Sequence, residues 1–416
     1  MPAARLRKTF VAATFAALCA TAGSALAQVA FNFSGYGTLG VVRSDNDRAD
    51  YQVDLFRPSG PGHSDEWSAR VDSRLGAQVS ATLSPRLSAV VQVLSQQRYD
   101  DTFRPIVEWA NVKYEVLPDL NVRAGRVVLP TFLVTDTRRV GYANVWVRPP
   151  VEVYSLVPIT TNDGMDMSWR KTFGDFRHTL EASFGRNDPH FPEQGASDQG
   201  QARARKLFVA VSTLERGAST FRLSYGRTNL TVESLDPLFD AFRQFGPAGE
   251  AIARRYELRD REVHFVGVGA SYDPGPWFAM AEWAKFDTHA ILGSRSAWYA
   301  SGGYRLGKAT LYGTFASTHA HNDSGDPGLP VSLLPPNLAP VAAALNAQLA
   351  AGLQTNPEQE TFSIGVRWDV LRNAAVKVQL DEVRPKNGSR GTFHNAVAGY
   401  EPTRTRLFSV TVDFVF

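Results

Sequence analysis

The C-terminal segment 404–416 shows the clearest alternation of apolar and polar residues in the chain. Side chains of a β-strand point alternately to opposite faces, so this pattern predicts a strand with one apolar and one polar face. The two sets are Phe408, Val410, Val412, Phe414 and Phe416 on the apolar face, and Ser409, Thr411 and Asp413 on the polar face.

The same pattern repeats from Phe31 to the end of the chain. Segments of about ten to fourteen alternating residues fit tilted strands that cross a bilayer, and the connections between them are alternately tight and long. The sequence therefore predicts an all-β fold, a transmembrane antiparallel up-and-down β-barrel of about 16 strands with both chain ends on the side of the tight turns. The predicted strands are 31–43, 67–83, 86–99, 105–116, 120–127, 162–172, 175–187, 205–214, 219–230, 260–272, 277–288, 295–306, 308–319, 361–371, 374–383 and 405–416.

Hydropathy does not separate this barrel from a soluble secreted β-sandwich, which stays open as an alternative. The mean hydropathy is −0.21, and a barrel gives such values because every second strand residue faces water. Beyond the N-terminus no apolar run reaches the length of about 18 residues that a transmembrane helix needs. In the long connections, 339–352 is predicted to form a helix, and a short helix is expected within 231–258.

The N-terminus has the pattern of a secretory signal peptide. Basic residues within 5–8 precede an apolar run at 10–22, and 25–27 is a small-x-small cleavage motif. We therefore expect a signal peptide at 1–27 and a mature barrel at 28–416. For an exported chain with this barrel pattern, we expect a location in the cell outer membrane, in contact with its lipid.

Removal of the signal peptide changes the charge and the cysteine content. Cys19 is the only cysteine and leaves with the signal, so the mature chain forms no disulfide and no cysteine metal site. The formal charge falls from +3 to about zero because 1–27 contains three basic residues and no acid. No basic tail suggests a nucleic-acid partner, and no cofactor or metal is expected.

The connection 128–161 does not alternate and is too apolar for a solvated loop. A loop of this length without regular structure is usually functional or disordered, and its composition argues against disorder. We expect it to fold into the barrel, with a bend at 148–150. The apolar side chains that need packing partners are Leu129, Phe132, Leu133, Trp146, Val151, Tyr154 and Leu156.

These features together resemble the general porins of the Gram-negative outer membrane. The resemblance rests on the strand pattern, on the terminal aromatic Phe416 and on 128–161 as the third long connection. It implies a homotrimer of sixteen-stranded barrels in which the last strand pairs with the first. It also implies that the third outer loop narrows the pore, and that Phe416 is read by the barrel assembly machinery.

The charges of the third loop are the first candidates for the pore constriction, because charge clusters in a narrow aqueous gap select permeants by sign. This loop has three arginines and two acids, whereas the loop of the family is acidic. The difference weakly favours anions. The candidates are Asp136, Arg138, Arg139, Arg148 and Glu152.

Strand parity gives a second set of candidates on the pore wall. In the predicted strand 67–83, Val71 and Leu75 face lipid, whereas Arg70 and Arg74 face the lumen and form a short basic ladder. Alternatively, the lumen charges simply pair with their neighbours. The wall candidates are Arg70, Arg74, Arg123, Arg170 and Arg177. Further lumen-facing charges are Arg222, Arg367, Lys377, Asp72, Asp166, Glu181, Asp369, Asp381 and Asp413.

A passive channel for small hydrophilic solutes and ions is the function that these features favour. A substrate-specific uptake channel for anions or carboxylates is the main alternative, and a structural barrel is a third. An enzyme is not expected, because no serine has a nucleophile-elbow setting and the histidines are scattered along the chain. The histidines weighed for this purpose are His178, His264, His289, His319, His321 and His394.

Overall fold

A computed structural model describes residues 29–192, 200–321, 326–353 and 356–416. The predicted signal peptide, 1–27, lies outside these residues. Sixteen long strands account for most of the described chain. They are β1 Ala30–Ser44, β2 Arg74–Ser84, β3 Leu87–Gln96, β4 Ile106–Leu117, β5 Leu120–Val128, β6 Thr161–Phe173, β7 Phe176–Asn187, β8 Gly200–Arg216, β9 Ser219–Val232, β10 Arg261–Tyr272, β11 Trp277–Asp287, β12 Ser294–Leu306, β13 Ala309–His321, β14 Gln359–Leu371, β15 Ala374–Pro385 and β16 Thr405–Val415.

The strands form one closed antiparallel sheet. Each long strand pairs with the next along the chain, and β1 pairs with both β2 and β16. The β1–β16 ladder runs from Tyr36 opposite Val415 to Ser44 opposite Leu407. The predicted up-and-down barrel is therefore confirmed, with the last strand closing the wall against the first.

The two faces of β16 have the environments that the alternation predicts. Thr411 and Asp413 are 1% and 0% exposed, whereas Val412 and Phe408 are 41% and 37% exposed. The same division recurs around the ring, where exposed large apolar side chains occupy the outward positions. An apolar outer face and a polar inner face suit a wall between lipid and a lumen.

At the seam between β1 and β16, two glycines of β1 leave room for the aromatic rings at the end of the chain. A Cβ atom added to Gly37 would lie 2.3 Å from the ring of Phe414, and one added to Gly35 would lie 2.3 Å from the ring of Phe416. The two rings stack on each other with centroids 6.4 Å apart. The glycines of the first strand therefore let the last strand lie flat against it.

Replacing Gly37 by Val is expected to destabilise this seam by about 1–3 kcal/mol, because the Phe414 ring must leave its position. Gly313→Val is the matched control, since a Cβ at Gly313 in β13 meets only one atom, at 3.9 Å. The folded fraction after refolding into detergent, read from heat-modifiable gel mobility, measures the difference. Equal folded fractions for the two variants would contradict the proposed contact of Gly37 with the Phe414 ring.

The predicted strand 67–83 is interrupted in the structure, so the prediction of one continuous strand is wrong. Ser68 lies opposite Val42 and Arg74 lies opposite Thr38, so the second strand has two more residues than β1 across this stretch. The extra residues form a bulge that turns side chains away from simple alternation. Val71 is 2% exposed in an inner apolar cluster with Tyr51, so its predicted contact with lipid is wrong.

The long connections contain all the helices of the described residues. The predicted helix 339–352 is confirmed, and the short helix expected within 231–258 is two helices. None of the described helices is long and apolar enough to span a membrane. The helices are α1 Val151–Tyr154, α2 Asp236–Arg243, α3 Gly246–Tyr256 and α4 Ala339–Leu353. The last three pack together with loop residues in one apolar cluster.

Candidate functional site

The third long loop, residues 129–160, connects β5 to β6 and contains short helical turns. Its two ends are joined where the backbone N–H of Leu129 donates to the carbonyl oxygen of Thr160 at 2.9 Å. Between the ends lie 3₁₀ turns at Thr135–Thr137 and Gly141–Ala143, followed by α1. The turns satisfy backbone groups locally, which allows the loop to run where no strand partners it.

The apolar side chains of this loop pack on inward-facing aromatic residues of the distant wall. The ring of Phe132 lies 5.4 Å from that of Phe265 in β10, and the ring of Trp146 lies 5.7 Å from that of Tyr299 in β12. Trp146 Nε1 also donates to Thr314 Oγ1 in β13 at 3.0 Å. The loop therefore reaches from β5 and β6 to the inner face of β10–β13.

Arg148 binds the loop to the wall on the side of the seam. Its guanidinium donates to Asp72 at 2.7 and 3.1 Å, to Asp381 at 3.0 Å and to Ser409 Oγ at 2.7 Å. Burial works against its charge, but the two carboxylates outweigh burial and raise the pKa of Arg148 above its ordinary value. A buried arginine shared between two carboxylates is a rigid, fully charged anchor.

Two wall cations hold backbone carbonyl groups of the same loop. Lys377 Nζ in β15 donates to the carbonyl oxygens of Gly141 at 2.7 Å and Trp146 at 2.8 Å, and lies 2.9 Å from an Asp413 carboxylate oxygen. Arg367 Nη1 in β14 donates to the carbonyl oxygen of Tyr142 at 2.6 Å. Sequence parity placed both cations on the lumen side, but nothing in the sequence indicated that they bind the loop.

Glu152 in α1 forms a further anchor, and none of the residues that the structure describes gives it a cationic partner within hydrogen-bond distance. It is buried, and it accepts hydrogen bonds from Gln359 Nε2 at 2.6 Å and from Thr361 Oγ1. Burial raises the pKa of the Glu152 carboxyl. Its role here is to attach α1 to the start of β14.

Replacing Glu152 by Gln is expected to remove a pH dependence of stability. Because its pKa is higher in the folded protein, protonation stabilises the fold fully below the ordinary glutamate value of 4.5. That contribution is lost as the pH rises through the raised pKa. Urea unfolding at a series of pH values should show the loss for the wild type and not for E152Q.

Thr361→Val provides the comparison for the Glu152 variant. It leaves the carboxylate with one donor fewer and should cost about 1–3 kcal/mol at neutral pH. Unchanged pH dependence in E152Q, or a neutral effect of Thr361→Val, would contradict the anchoring role.

Arg57 and Arg139 donate to the same neutral acceptor, Gln96 at the end of β3. Arg57 Nη2 donates to Gln96 Oε1 at 3.3 Å, and Arg139 Nη1 donates to the same oxygen at 3.1 Å. Arg57 is 3% exposed, and its nearest carboxylate is Asp54 at 3.5 Å. Arg57 Nη1 and Arg139 Nε are buried without a hydrogen-bond partner among the described residues.

The surrounding charges make this place strongly positive. Arg138 and Arg74 line the same small cavity as Arg57 and Arg139. Burial and the neighbouring charge of Arg139 lower the pKa of Arg138 to about 10, at which it still carries its proton at neutral pH. Burial alone would raise the pKa of Asp54, but the positive charges of Arg57, Arg139 and Arg138 lower it overall. We call Arg57, Arg74, Arg138 and Arg139 the arginine cluster.

The sequence-based constriction candidates have different surroundings. Arg138 donates to the carbonyl oxygens of Tyr154 at 2.7 Å and Val157 at 3.1 Å, so it also stiffens its own loop. Arg148 and Glu152 are buried anchors, whereas Asp136 is exposed. Of the five candidates, the structure brings Arg138 and Arg139 together in one cluster.

The wall candidates are spread over both ends of the barrel. Arg70 pairs with Asp101 in the second long loop, and the bulge separates it from Arg74, so the two do not form a continuous ladder. Arg123 pairs with Asp166 at 2.6 Å. Arg170 and Arg177 are exposed near the tight turns. Arg57 was missed, because it lies in a polar connection where strand parity has no meaning.

Comparisons with known proteins give one family. A family model described as Gram-negative porin matches residues 12–388. No protein of curated function matches the sequence.

Several solved outer-membrane structures are similar along almost the whole chain. An anion-selective porin from Comamonas acidovorans is 12% identical with a TM-score of 0.52, covering 94% of this chain and 100% of that one. The trimer form of the outer membrane protein OmpT of Vibrio cholerae is 11% identical with a TM-score of 0.52, covering 93% and 99%. OmpF of Salmonella typhi in complex with daunomycin is 12% identical with a TM-score of 0.51, covering 93% and 97%. At these identities the likeness shows the fold.

Proposed function

Because the chain belongs to the Gram-negative porin family and forms an outer-membrane β-barrel, we propose that it is a passive channel for small hydrophilic solutes and ions, narrowed by the loop 128–161. The observation that carries this proposal is the course of the loop. It leaves the wall at β5 and is held by Trp146 at β12 and β13 and by Arg148 at Asp72 and Asp381. A segment anchored on several sides leaves a restricted aqueous path beside it.

Liposome swelling tests passive diffusion directly. The full chain, folded in detergent and reconstituted, should admit small sugars at rates that fall as the sugar grows and that do not saturate with concentration. A barrel that is folded by gel mobility but supports no swelling would contradict the proposal. The same family and fold support a channel without catalysis.

We further propose that the restricted path favours anions. The arginine cluster presents four guanidinium groups around one small cavity, which Arg148 and the carboxylates of Asp54 and Asp72 also line. One nitrogen each of Arg57 and Arg139 is buried without a hydrogen-bond partner among the described residues, so these cations act on a passing carboxylate, phosphate or chloride through their charge. Charge of one sign in a gap with low-dielectric walls raises the local concentration of the opposite ion.

A substrate-specific anion channel is the second candidate, and the shared Gln96 acceptor favours it. Two guanidinium groups on one neutral oxygen form a place where an oxyanion can replace a single weak acceptor. Block of chloride conductance by low concentrations of inorganic phosphate or of a dicarboxylate would support the specific channel. If conductance differs between anions only in proportion to their mobility in water, the channel is a general one.

The remaining parts of the proposal concern export and assembly. We propose that 1–27 is a cleaved signal peptide and that Phe416 is read by the assembly machinery. A homotrimer is supported by the trimer form of the similar Vibrio cholerae protein. Intact mass of the protein from outer membranes tests the cleavage site after Ala27, and native mass spectrometry tests the trimer.

A further inference from the structure

Arg57 belongs to the arginine cluster but lies outside the strands of the wall. It is in the first loop, residues 45–73 between β1 and β2. Its own turn, in which the N–H of Arg57 donates to the carbonyl oxygen of Asp54 at 3.3 Å, is local and does not connect it to the wall. The connection is made by the last loop, residues 386–404 between β15 and β16.

The first and last loops share a small sheet of their own. Asp50–Tyr51 pairs with Phe393–His394, and the rings of Tyr51 and Phe393 lie 5.8 Å apart in an edge contact. Gln52 extends the pairing, since its N–H donates to the carbonyl oxygen of Thr392 at 2.9 Å. The sheet therefore fixes the two loops relative to each other, a few residues before the arginine.

Two consecutive carbonyl groups at Arg57 accept hydrogen bonds from side chains on or beside this sheet. The carbonyl oxygen of Pro58 accepts from Asn395 Nδ2 at 2.8 Å and lies 3.2 Å from His394 Nε2. The carbonyl oxygen of Arg57 accepts from Gln52 Nε2 at 2.8 Å. These three side chains hold the peptide groups that carry the Arg57 side chain.

Asn395 is the residue of the last loop on which most of these bonds depend. Its φ is 49°, in the left-handed region, which asparagine adopts more readily than most residues. Besides Pro58, its Nδ2 donates to Asp50 at 2.9 Å. Asp50 is buried and accepts two more hydrogen bonds from Ser64. The amide of Asn395 therefore links a buried carboxylate to the carbonyl group that follows Arg57.

We propose that Asn395 and His394 are positioning residues for Arg57, and that the last loop thereby controls the anion preference of the channel. This inference rests on the proposed anion preference. Both residues act through the backbone of Arg57 and do not contact the permeating ion. The effect of a charge on an ion falls with the distance between them, so displacement of the guanidinium weakens its contribution.

His394 makes this positioning dependent on pH. Its Nε2 can donate to Pro58 in the neutral ring, whereas Nδ1 is buried without a hydrogen-bond partner among the described residues. Burial lowers the pKa of His394 below its ordinary value of 6.5, and Asp50, the charged group that acts on the ring, opposes this shift only in part. The contact is therefore fully present above pH 6.5 and weakens as the pH falls from 6.5 through the lowered pKa.

Reversal potentials in potassium chloride gradients test the positioning role with N395G. Glycine keeps the left-handed backbone and removes both amide hydrogen bonds. The anion-to-cation permeability ratio should fall about two- to ten-fold, as expected for the loss of one or two hydrogen bonds that hold the arginine. In the R57Q background the same change should have little further effect, because both variants act through one side chain.

The matched control is N387G in the same last loop. Asn387 also has a positive φ, of 53°, but its amide donates to Glu358, away from the first loop. The permeability ratio of N387G should equal that of the wild type. An unchanged ratio in N395G, or an equal fall with and without Arg57, would overturn the positioning role.

The pH dependence is tested with H394Q, which keeps a donor near the position of Nε2 but does not titrate. The ratio of the wild type should fall between about pH 7.5 and 5.5, and that of H394Q should stay constant. Equal pH dependence in both would overturn the role of His394. If N395G does not fold, H394L at neutral pH must lower the ratio in the same way. A wild type without anion preference would contradict the proposed function, whereas an anion-selective wild type matched by N395G contradicts only this inference.

Discussion

Replacing Arg148 by Met is expected to lower the free energy of unfolding by about 3–5 kcal/mol. The change leaves the carboxylates of Asp72 and Asp381 buried without their shared cation, and the loss of one partner of a buried ion pair costs that much. Release of this anchor should also make the loop mobile, so that channel current becomes noisier. Urea unfolding of the reconstituted protein and single-channel recording measure the two effects.

Two companion variants separate the anchor from a general packing defect. Arg148→Lys keeps the charge but loses the forked geometry, and should fall between the wild type and R148M. R148M/D72N/D381N removes the buried charges together and should recover much of the lost stability. A triple variant as unstable as R148M, or an R148M protein as stable as the wild type, would contradict the anchoring role.

Neutralising Arg57 and Arg139 together is expected to lower the anion-to-cation permeability ratio by about ten-fold or more. A charge about 5 Å from an ion contributes roughly 1–3 kcal/mol at effective dielectric constants between water and a protein surface. The double variant R57Q/R139Q loses two such charges at the shared Gln96 acceptor. Reversal potentials in potassium chloride gradients give the ratio.

The matched control for selectivity is R170Q/R177Q. It removes the same formal charge from inward positions where the side chains are exposed near the tight turns. Its reversal potential should stay close to that of the wild type, because water and salt screen charges at such places. Equal shifts in the two double variants would show that net charge, and not the arginine cluster, sets the selectivity.

The alternation of residues was sufficient to predict the barrel, because burial on one face repeats with the period of the strand itself. Val412 and Asp413 occupy the faces that their parity predicts. The bulge after Ser68 was not predictable, since the residues that it contacts lie in β1, where Gly40 N donates to Ser73 Oγ at 3.1 Å. A contact between residues 33 positions apart does not change the local alternation of apolar and polar residues, so it cannot be predicted from that alternation.

The candidate site was predictable only in part, for a related reason. The apolar composition of 128–161 indicated that the loop needs packing partners, and Trp146 and Phe132 are indeed buried. The partners themselves were not predictable. In β12 the inward-facing Tyr299 and the outward-facing Trp298 are neighbouring aromatic residues, so the sequence does not show which of them faces the lumen. Arg57 lies in a polar loop, and its position beside Arg139 depends on how two connections distant in sequence fold together.

The reversal potential of single wild-type channels in a planar bilayer under a potassium chloride gradient shows whether the pore beside the arginine cluster favours anions. The protein must be purified from outer membranes and shown to be folded by its gel mobility. We expect stepwise conductance with a reversal potential on the anion side. An absence of steps, or steps whose reversal potential lies on the cation side, would contradict an anion-favouring channel narrowed beside the arginine cluster.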